Sequence, residues 1–317
     1  MSARFMMAVG ILLKESHKTE PITEMVETVF GQNYVGQLSR RWGLRAPRQL
    51  FRMLKLHRTP FTTILQNMFS ALDEANGRFA FPTVASVAKM KPELVKMITD
   101  EGHEVASHGY NHVRYPTLSA KEREKDLRLS LQVFKNLGID ISGFRAPYDN
   151  YTDDMPLLLE QVGLLWDGGF GYRPEHREKT QFFHTDFDGQ ESKVTYIPLN
   201  IQSDDLMIDR LGMGPKDVTR ALNKEVSNAA QTNGVIMFDL HPIRMGQSEF
   251  SQCLKDVTQH AHSLGAWCTT PTEAVKYWNT HGKWRGDSTF CLLLTGDIDN
   301  WVFSDYLRRV LWRRGAR

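Results

Sequence analysis

The chain has 317 residues, of which 41% are hydrophobic and 24% charged, and its formal net charge is +2. This length is enough for one large domain or two small ones, and a single α/β domain with appendages fits the composition better. A near-neutral chain has no global basic field, so the charge gives no argument for binding nucleic acid or a membrane surface.

The cysteines and the first apolar run bear on where the protein works. Cys253, Cys268 and Cys291 are well separated and form no C-x-x-C pair, which favours reduced, buried thiols over a disulfide framework. The apolar run 5–13 is too short to span a bilayer and has no convincing cleavage site after it. The sequence therefore predicts a soluble, cytoplasmic protein without a transmembrane segment.

Residues 1–58 are strand-like at first and then helical and basic, and we assign them as a basic N-terminal extension. Basic residues cluster at 40–48 and again at 308–314, interleaved with apolar residues at helical spacing. This spacing favours amphipathic helices with solvated basic faces. The alternative is a surface that holds anionic lipid or a phosphate-bearing substrate.

From residue 61 onward, helical and strand-like patterns alternate along the chain. The predicted helices cover 61–75, 92–101, 119–137, 153–163, 215–232 and 249–264. The predicted strands cover 78–87, 105–107, 144–147, 164–167, 195–198, 235–240, 267–269 and 291–296. Alternation over this many units predicts a mostly parallel sheet that forms a closed or nearly closed β/α barrel.

Two histidines stand at the spacing of metal ligands. His108 and His112 lie four residues apart behind the strand-like run 103–106, so both imidazoles can face one point. Two neutral imidazoles suit Zn²⁺ or a neighbouring divalent ion, and a catalytic site of this kind needs a third ligand and an open position for water.

Further polar motifs follow later strands: Arg145-Ala-Pro-Tyr148, Leu-Leu-Trp-Asp167 and Asp-Leu-His241-Pro. Together with Ser-His-Gly-Tyr-Asn-His before them, they resemble in order and spacing the polysaccharide deacetylase family (NodB homology, carbohydrate esterase family 4). The resemblance implies a deformed (β/α) barrel of the NodB type over residues 59–283. It also implies a metal-dependent hydrolase that removes an acetyl or similar acyl group from an N-acetylated sugar or polysaccharide precursor.

The aspartate pair that opens this family's motif order is missing from the first hundred residues. An apolar strand ending in Asp297-Ile-Asp299 stands instead near the other end of the chain, within residues 284–317. Side chains alternate along a strand, so Asp297 and Asp299 project to the same side and can share one site. We interpret this as a circular permutation in which residues 284–317 complete the barrel. The alternative is that residues 287–317 begin a truncated second copy.

The resemblance also implies roles for individual residues. His108, His112 and Asp299 would bind Zn²⁺, or another divalent metal such as Co²⁺. Asp297 would be the general base, and Arg145 would hold it in place and keep it ionised.

The remaining implied roles concern the leaving group and the oxyanion. His241 would be the acid that protonates the departing nitrogen, and Tyr148 would offer its backbone N–H to the oxyanion. Asp167 would hydrogen-bond His241 or Arg145 and tune it. Asp204 and Asp205 lie in the connection after residue 198, which could form a wall of the substrate site, although solvated loop acids are the simpler interpretation.

Two other functions stay open on the sequence alone. The chain could hydrolyse a linear or cyclic amide that is not a sugar, or it could be a catalytically inactive carbohydrate-binding barrel if the D-x-D motif does not reach the histidines. The expected partner is an N-acetylated sugar or related amide, such as a nucleotide-linked or lipid-linked precursor. No nucleic acid is expected, and a homo-oligomer is left open.

Overall fold

The computed structural model describes residues 56–169, 176, 178–302 and 304–305. All of them lie within one compact unit, Met53–Tyr306. The predicted basic extension lies outside the described residues except for 56–58, and so does the predicted basic helix beyond residue 306.

The described residues form ten strands. They are β1 (Phe79–Thr83), β2 (Glu104–Ser107), β3 (Gly143–Phe144), β4 (Trp166–Gly169), β5 (Asp186–Phe187), β6 (Gln190–Glu191), β7 (Thr195–Pro198), β8 (Val235–Asp239), β9 (Ala266–Cys268) and β10 (Phe290–Thr295). Eight of them make one parallel sheet in the order β7-β4-β3-β2-β1-β10-β8, with β9 paired to β10. Strands β5 and β6 form a separate antiparallel ribbon.

The two outer strands of this sheet meet just beyond the end of β7. The backbone N–H of Asn200 donates to the carbonyl of Met237 at 2.8 Å, and Leu199 forms a single parallel bridge with Met237. The sheet is therefore a nearly closed barrel, and the predicted β/α barrel is confirmed.

Helices connect the strands. They are α1 (Phe61–Asp73), α2 (Ala85–Ala88), α3 (Pro92–Asp100), α4 (Ala120–Asn136), α5 (Met155–Gln161), α6 (Pro215–Thr232), α7 (Pro242–Met245), α8 (Ser251–Ser263) and α9 (Pro271–His281). Helix α4 begins at the capping box predicted from the sequence, because Ser119 and Glu122 satisfy each other's backbone N–H groups. A π-helical turn, Asp205–Arg210, was not foreseen.

Alternate residues of the central strands enter different apolar clusters. In β10, Leu292 and Leu294 pack with the residues of the surrounding helices α1, α3, α6 and α8. Leu293 instead packs with Met237 and Trp166 from strands β8 and β4, in a second cluster. Side chains alternate between the two faces of a strand, and both faces of β10 are buried. Nearly every residue of β10 must therefore be apolar.

Strand β10 lies in the middle of the sheet although it is the last of the described strands in the chain. One of its edges pairs with β8, where Leu294 is opposite Phe238. Its other edge pairs first with β9 and then with β1, where Leu294 is opposite Phe79. Ile298 continues this pairing by donating its backbone N–H to the carbonyl of Pro82 at 2.8 Å. Residues 297–299 are thereby fixed at the carboxyl end of the barrel.

Candidate active site

His108 follows β2 directly and is 1% exposed. Its Nδ1 lies 2.8 Å from the carbonyl oxygen of Arg145. Since a carbonyl oxygen only accepts, Nδ1 carries a proton, and the neutral form of the imidazole has its lone pair on Nε2, the nitrogen that faces the aspartates. A backbone carbonyl on the far nitrogen is the usual way in which a metal-binding imidazole is oriented.

The Asp297-Ile-Asp299 segment brings two carboxylates to the histidines. Nε2 of His108 lies 3.4 Å from Oδ2 of Asp297 and 3.5 Å from Oδ1 of Asp299. Nε2 of His112 lies 3.2 Å from the same Oδ1 of Asp299. Between the two aspartates, Ile298 is 1% exposed and belongs to the core, as strand alternation requires.

These distances suit a small divalent ion. The ligand atoms of His108, His112 and Asp299 all lie within 4.8 Å of one another. In a tetrahedral zinc site with bonds of about 2.0–2.1 Å, neighbouring ligand atoms are about 3.3–3.4 Å apart. The two nitrogen-to-carboxylate distances of 3.2 and 3.5 Å are close to that edge length. The donor set of two imidazoles and one carboxylate also fits zinc.

The side chain of Arg145 is 1% exposed and donates hydrogen bonds to two carboxylates of the site. Its Nη1 donates to Oδ1 of Asp297 at 3.0 Å and to Oδ1 of Asp239 at 3.1 Å. Its Nη2 donates to Oγ1 of Thr295 at 2.5 Å. Burial by itself would lower the pKa of Arg145, but the charges of Asp297 and Asp239 outweigh it and raise the pKa. The guanidinium is therefore a permanent cation within this network.

A second cluster of side chains with ligand-like spacing lies beside the first cluster of His108, His112 and Asp299. Single ligand atoms of Asp239, His241 and Asp297 fall within 4.8 Å of one another. Because Nη1 of Arg145 pairs with both of these carboxylates, a guanidinium already supplies the positive charge at this position.

His241 follows β8, and two acids lie near its Nδ1. Its Nδ1 lies 2.8 Å from Oδ1 of Asp204 and 3.7 Å from Oδ1 of Asp239. Burial would lower the pKa of His241, but Asp239 and Asp204 raise it well above its ordinary value. Burial in turn raises the pKa of Asp239. The charges of Asp204 and Asp239 thus favour the imidazolium form of His241, with Nε2–H as its available donor.

Tyr148 lies in a tight turn at Pro147–Asp149 with φ 62° and ψ 15°, and Asp149 also has a positive φ. Non-glycine residues rarely take this left-handed backbone conformation, which clusters at functional sites. The side chain of Asn150 holds the turn by donating from Nδ2 to the carbonyl of Tyr148 at 2.6 Å. The Tyr148 ring lies 4.4 Å from the ring of His112.

Asp167 and Asp204 are both fully buried near this network. Asp167 lies on β4, next to Gly168, whose carbonyl accepts from Nε of Arg145 at 3.2 Å, and its predicted role of tuning His241 or Arg145 stays a prediction. The charge of Asp167 also acts on Tyr115 and Asp149. The interpretation of Asp204 as a solvated loop acid was wrong, because it is 0% exposed and bonded to His241.

Sequence reasoning also passed over Asp239. It stands two residues before His241 at the end of β8, and alternation along the strand places both on one side. That spacing is a usable signal. Asp204 has no such signal, since only the path of the connection after β7 brings it to His241.

The fold and the site together define a nearly closed (β/α) barrel with a cluster of two histidines and one carboxylate at the carboxyl ends of its strands. Residues 56–165 match the family model for polysaccharide deacetylase. The resemblance of the chain to this family is therefore confirmed. The matched segment contains His108, His112, Arg145 and Tyr148 but ends before His241 and the aspartate pair.

Two curated relatives are similar over short stretches. Chitin deacetylase 1 of Cryptococcus neoformans var. grubii is 30% identical over 107 residues, which are 33% of this chain and 22% of that protein. Peptidoglycan deacetylase of Helicobacter pylori is 37% identical over 76 residues, which are 24% of this chain and 26% of that protein. The chain thus spans about a quarter of the length of these curated relatives.

Solved structures share the fold at low sequence identity. A protein of Mycobacterium smegmatis assigned to the polysaccharide deacetylases has a TM-score of 0.63 at 17% identity, covering 78% of this chain and 88% of that one. The allantoinase PuuE has a TM-score of 0.61 at 16% identity, covering 75% and 78%. These similarities confirm the NodB-type barrel. Among the described residues, no helix is both long and apolar enough to cross a bilayer.

Proposed function

We propose that the chain is a divalent-metal-dependent hydrolase that removes an acetyl or similar acyl group from an N-acetylated sugar. The observation that carries this proposal is the convergence of His108, His112 and Asp299, whose ligand atoms lie within 4.8 Å of one another. The family match and the deacetylase relatives support the reaction class.

His108, His112 and Asp299 would hold the ion, with Zn²⁺ or Co²⁺ as the expected metals. When bound, such an ion supplies a Lewis acid that polarises the amide carbonyl and lowers the pKa of a water molecule. The orientation of Nε2 of His108 by the Arg145 carbonyl is already set in the structure.

Asp297 and His241 would carry out the two proton transfers of the reaction. Asp297 has one oxygen fixed by Arg145 and the other directed to His108, so it is placed to take the proton of the attacking water. The water oxygen bonds to the acyl carbon, and the backbone N–H of Tyr148 would donate to the oxyanion that develops. His241 then gives its proton to the nitrogen as the C–N bond breaks, and acetate and a free amine leave.

Asp167 would take no part in the proton transfers and would tune His241 or Arg145, as the sequence predicts. The predicted substrate class remains a nucleotide-linked or lipid-linked N-acetylated sugar. The predicted cytoplasmic location also remains a prediction, and cell fractionation tests it.

Metal analysis tests the proposal most directly. We expect about one divalent ion per chain after incubation with Zn²⁺ or Co²⁺, and none for His112→Ala. His281→Ala is the matched control, since that histidine is exposed on α9 and bonds only within its own helix. A protein that takes up no metal would contradict the proposal and favour an inactive carbohydrate-binding barrel.

A second variant separates binding from chemistry. Asp297→Asn keeps its shape but cannot accept the water's proton, so we expect retained metal with activity reduced roughly 10²-fold or more. Assaying acetate release from N-acetylated sugars, beside ammonia or amine release from simple linear and cyclic amides, identifies the substrate class. Activity on the amides alone would overturn the sugar assignment.

A further inference from the structure

Arg114 lies close to the candidate metal centre but is not one of the proposed ligands or proton carriers. It follows His112 by two residues, and its guanidinium carbon lies 4.4 Å from the centroid of the Tyr148 ring. The other neighbour of that ring is His112, at 4.4 Å between centroids. A positive charge is therefore fixed one aromatic ring away from a proposed metal ligand.

The guanidinium is held firmly by neutral groups. Its Nη1 donates to Oδ1 of Asn150 at 3.1 Å, while Nδ2 of Asn150 is bonded to the Tyr148 carbonyl. The Arg114 backbone is also fixed, because its carbonyl accepts from the N–H of Thr117 at 3.0 Å and from its hydroxyl at 2.7 Å. Stacking and a hydrogen bond set the direction of the side chain without neutralising its charge.

Other arginines that are as much or more buried are neutralised. Arg123, Arg145 and Arg244 each have a carboxylate oxygen within 3.1 Å. Among the described residues Arg114 has no carboxylate within 4.0 Å, and its buried Nε has no acceptor. Removing a cation partly from water without a counter-charge is unfavourable, and an oxyanion brought by a ligand would offset that cost.

We propose that Arg114 is a specificity residue that binds an anionic group, carboxylate or phosphate, carried by the acylated sugar. This inference rests on the proposed function, because it places the anion beside the sugar whose acyl group lies at His112. Nη2 is the donor left for the ligand, since Nη1 is used by Asn150 and Nε is buried. Through Nη2, Arg114 would form one charge-assisted hydrogen bond with the anion, and not the two parallel hydrogen bonds of a bidentate guanidinium pair.

The test compares three probes on the metal-loaded full chain. N-acetylmuramic acid carries a carboxylate, UDP-N-acetylglucosamine carries a diphosphate, and N-acetylglucosamine oligomers are neutral. Arg114→Met keeps an apolar stem over Tyr148 but removes the charge. We expect kcat/KM for the favoured anionic probe to fall by roughly 10-fold to 100-fold, the worth of a hydrogen bond between charged groups, and kcat/KM for the neutral oligomer to stay within about twofold.

Binding supplies a readout that does not depend on turnover. In an Asp297→Asn background, calorimetry should show the same loss of affinity for the anionic probe with Arg114→Met, and partial recovery with Arg114→Lys. The control is Arg128→Met, on the exposed face of α4 and paired with Glu124, which should change neither measurement. Raising the salt concentration should weaken anion binding to the parent chain and not to Arg114→Met.

The outcomes separate the two proposals. If neutral sugars are deacetylated and no anionic probe is preferred or bound more tightly, the Arg114 assignment is wrong while the proposed function stands. An equal loss for anionic and neutral probes would also overturn it, since Arg114 would then act by holding Tyr148. If no N-acetylated sugar is bound or hydrolysed, both proposals fail.

Discussion

The charge on His241 depends on a short series of neighbouring side chains. Asp204 bonds Nδ1 of His241, and Nη1 of Arg244 lies 3.6 Å from the other oxygen of Asp204. Arg244 is itself held by Asp209 through Nε at 2.9 Å and Nη2 at 2.7 Å. The proposed proton donor, His241, is thus oriented by the carboxylate of Asp204, as many catalytic imidazoles are oriented by a neighbouring acid.

Asp204→Asn should shift the pH dependence of turnover. Asp204 helps to raise the pKa of His241, so removing its charge lowers that pKa. A general acid must be protonated, so activity is lost as the pH rises through its pKa. The alkaline limb of the kcat profile should therefore move to lower pH by about one unit or more. Asp217→Asn, at an exposed acid on α6, is the control; an unmoved limb in Asp204→Asn would contradict the role of Asp204.

The buried side chain of His103 makes the free energy of unfolding depend on pH. Its ring is 5% exposed and lies between Phe69 and Phe81. Burial, and to a smaller extent the positive charge of Arg78, lowers the pKa of His103 from 6.5 to about 4. Between these values the unfolded chain binds a proton that the folded chain does not, so the free energy of unfolding falls as the pH drops. The loss approaches ~3 kcal/mol at the lower end of this window.

His103→Phe should remove this loss, because a phenyl ring fits between two aromatic neighbours and does not titrate. Urea unfolding at about pH 7 and about pH 4.5 measures the difference, which should shrink in the variant. His281→Gln, at an exposed histidine, should keep the parent's difference. A pH dependence unchanged by His103→Phe would show that other groups control acid stability.

At the scale of elements, the close approach of β10 to β8 depends on Gly296. A Cβ atom there would lie 2.1 Å from the carbonyl oxygen of Leu240. Gly296→Ala must therefore push the strand ends apart, and the D-x-D segment begins at the next residue. We expect a loss of stability of about 3 kcal/mol or more and weaker metal binding, by denaturant unfolding and metal titration.

Gly214→Ala is the matched control, since a Cβ at that position would meet nothing within 4 Å. If Gly296→Ala unfolds and binds metal like the parent, the strand ends tolerate separation and the site does not depend on their contact.

The elements that periodicity predicts well are the long amphipathic helices and the apolar strands. The predicted bounds of α6 and β7 agree with the structure, and β10 is displaced by one residue at each end. The strand predicted at 144–147 is only Gly143–Phe144, because Pro147 begins a turn with left-handed residues. Helix α9 was missed, although Pro271 at its first position and Glu273 in its first turn are start signals.

For the candidate site, the sequence could supply residues but not every contact. Residues at strand ends, such as His108 and Asp299, could be predicted to converge because parallel strands end at one edge of the barrel. Asp204 could not, because it lies in an irregular connection whose path is set by tertiary packing. The assigned roles stay predictions until they are measured.

At the scale of the whole molecule, the order of elements in the chain differs from their order in the sheet. The ring of Trp301, just beyond β10, packs edge-on against Phe61 of α1 with centroids 4.8 Å apart. Trp301, six residues after β10, therefore lies next to the start of the described barrel. A short connection between these two points would turn β10 into the first strand without moving it.

This geometry predicts the behaviour of a rearranged chain. A chain ending at Trp284 should be insoluble or metal-free, because it loses a central strand and a ligand together. Inserting residues 285–302 between residues 58 and 59 of that shortened chain, with a Gly/Ser linker at each junction, should restore solubility and metal uptake. A shortened chain that already folds and binds metal would contradict the placement of β10 and Asp299 in this barrel.

The central position of β10 also has a consequence during synthesis on the ribosome. Strands β1 and β8 emerge long before the segment that joins them, so each leaves the exit tunnel with an unpaired edge. The histidines are present from early in translation, but the carboxylates arrive only with the last described residues. Barrel closure and metal capture therefore both wait until residues 290–299 have left the exit tunnel.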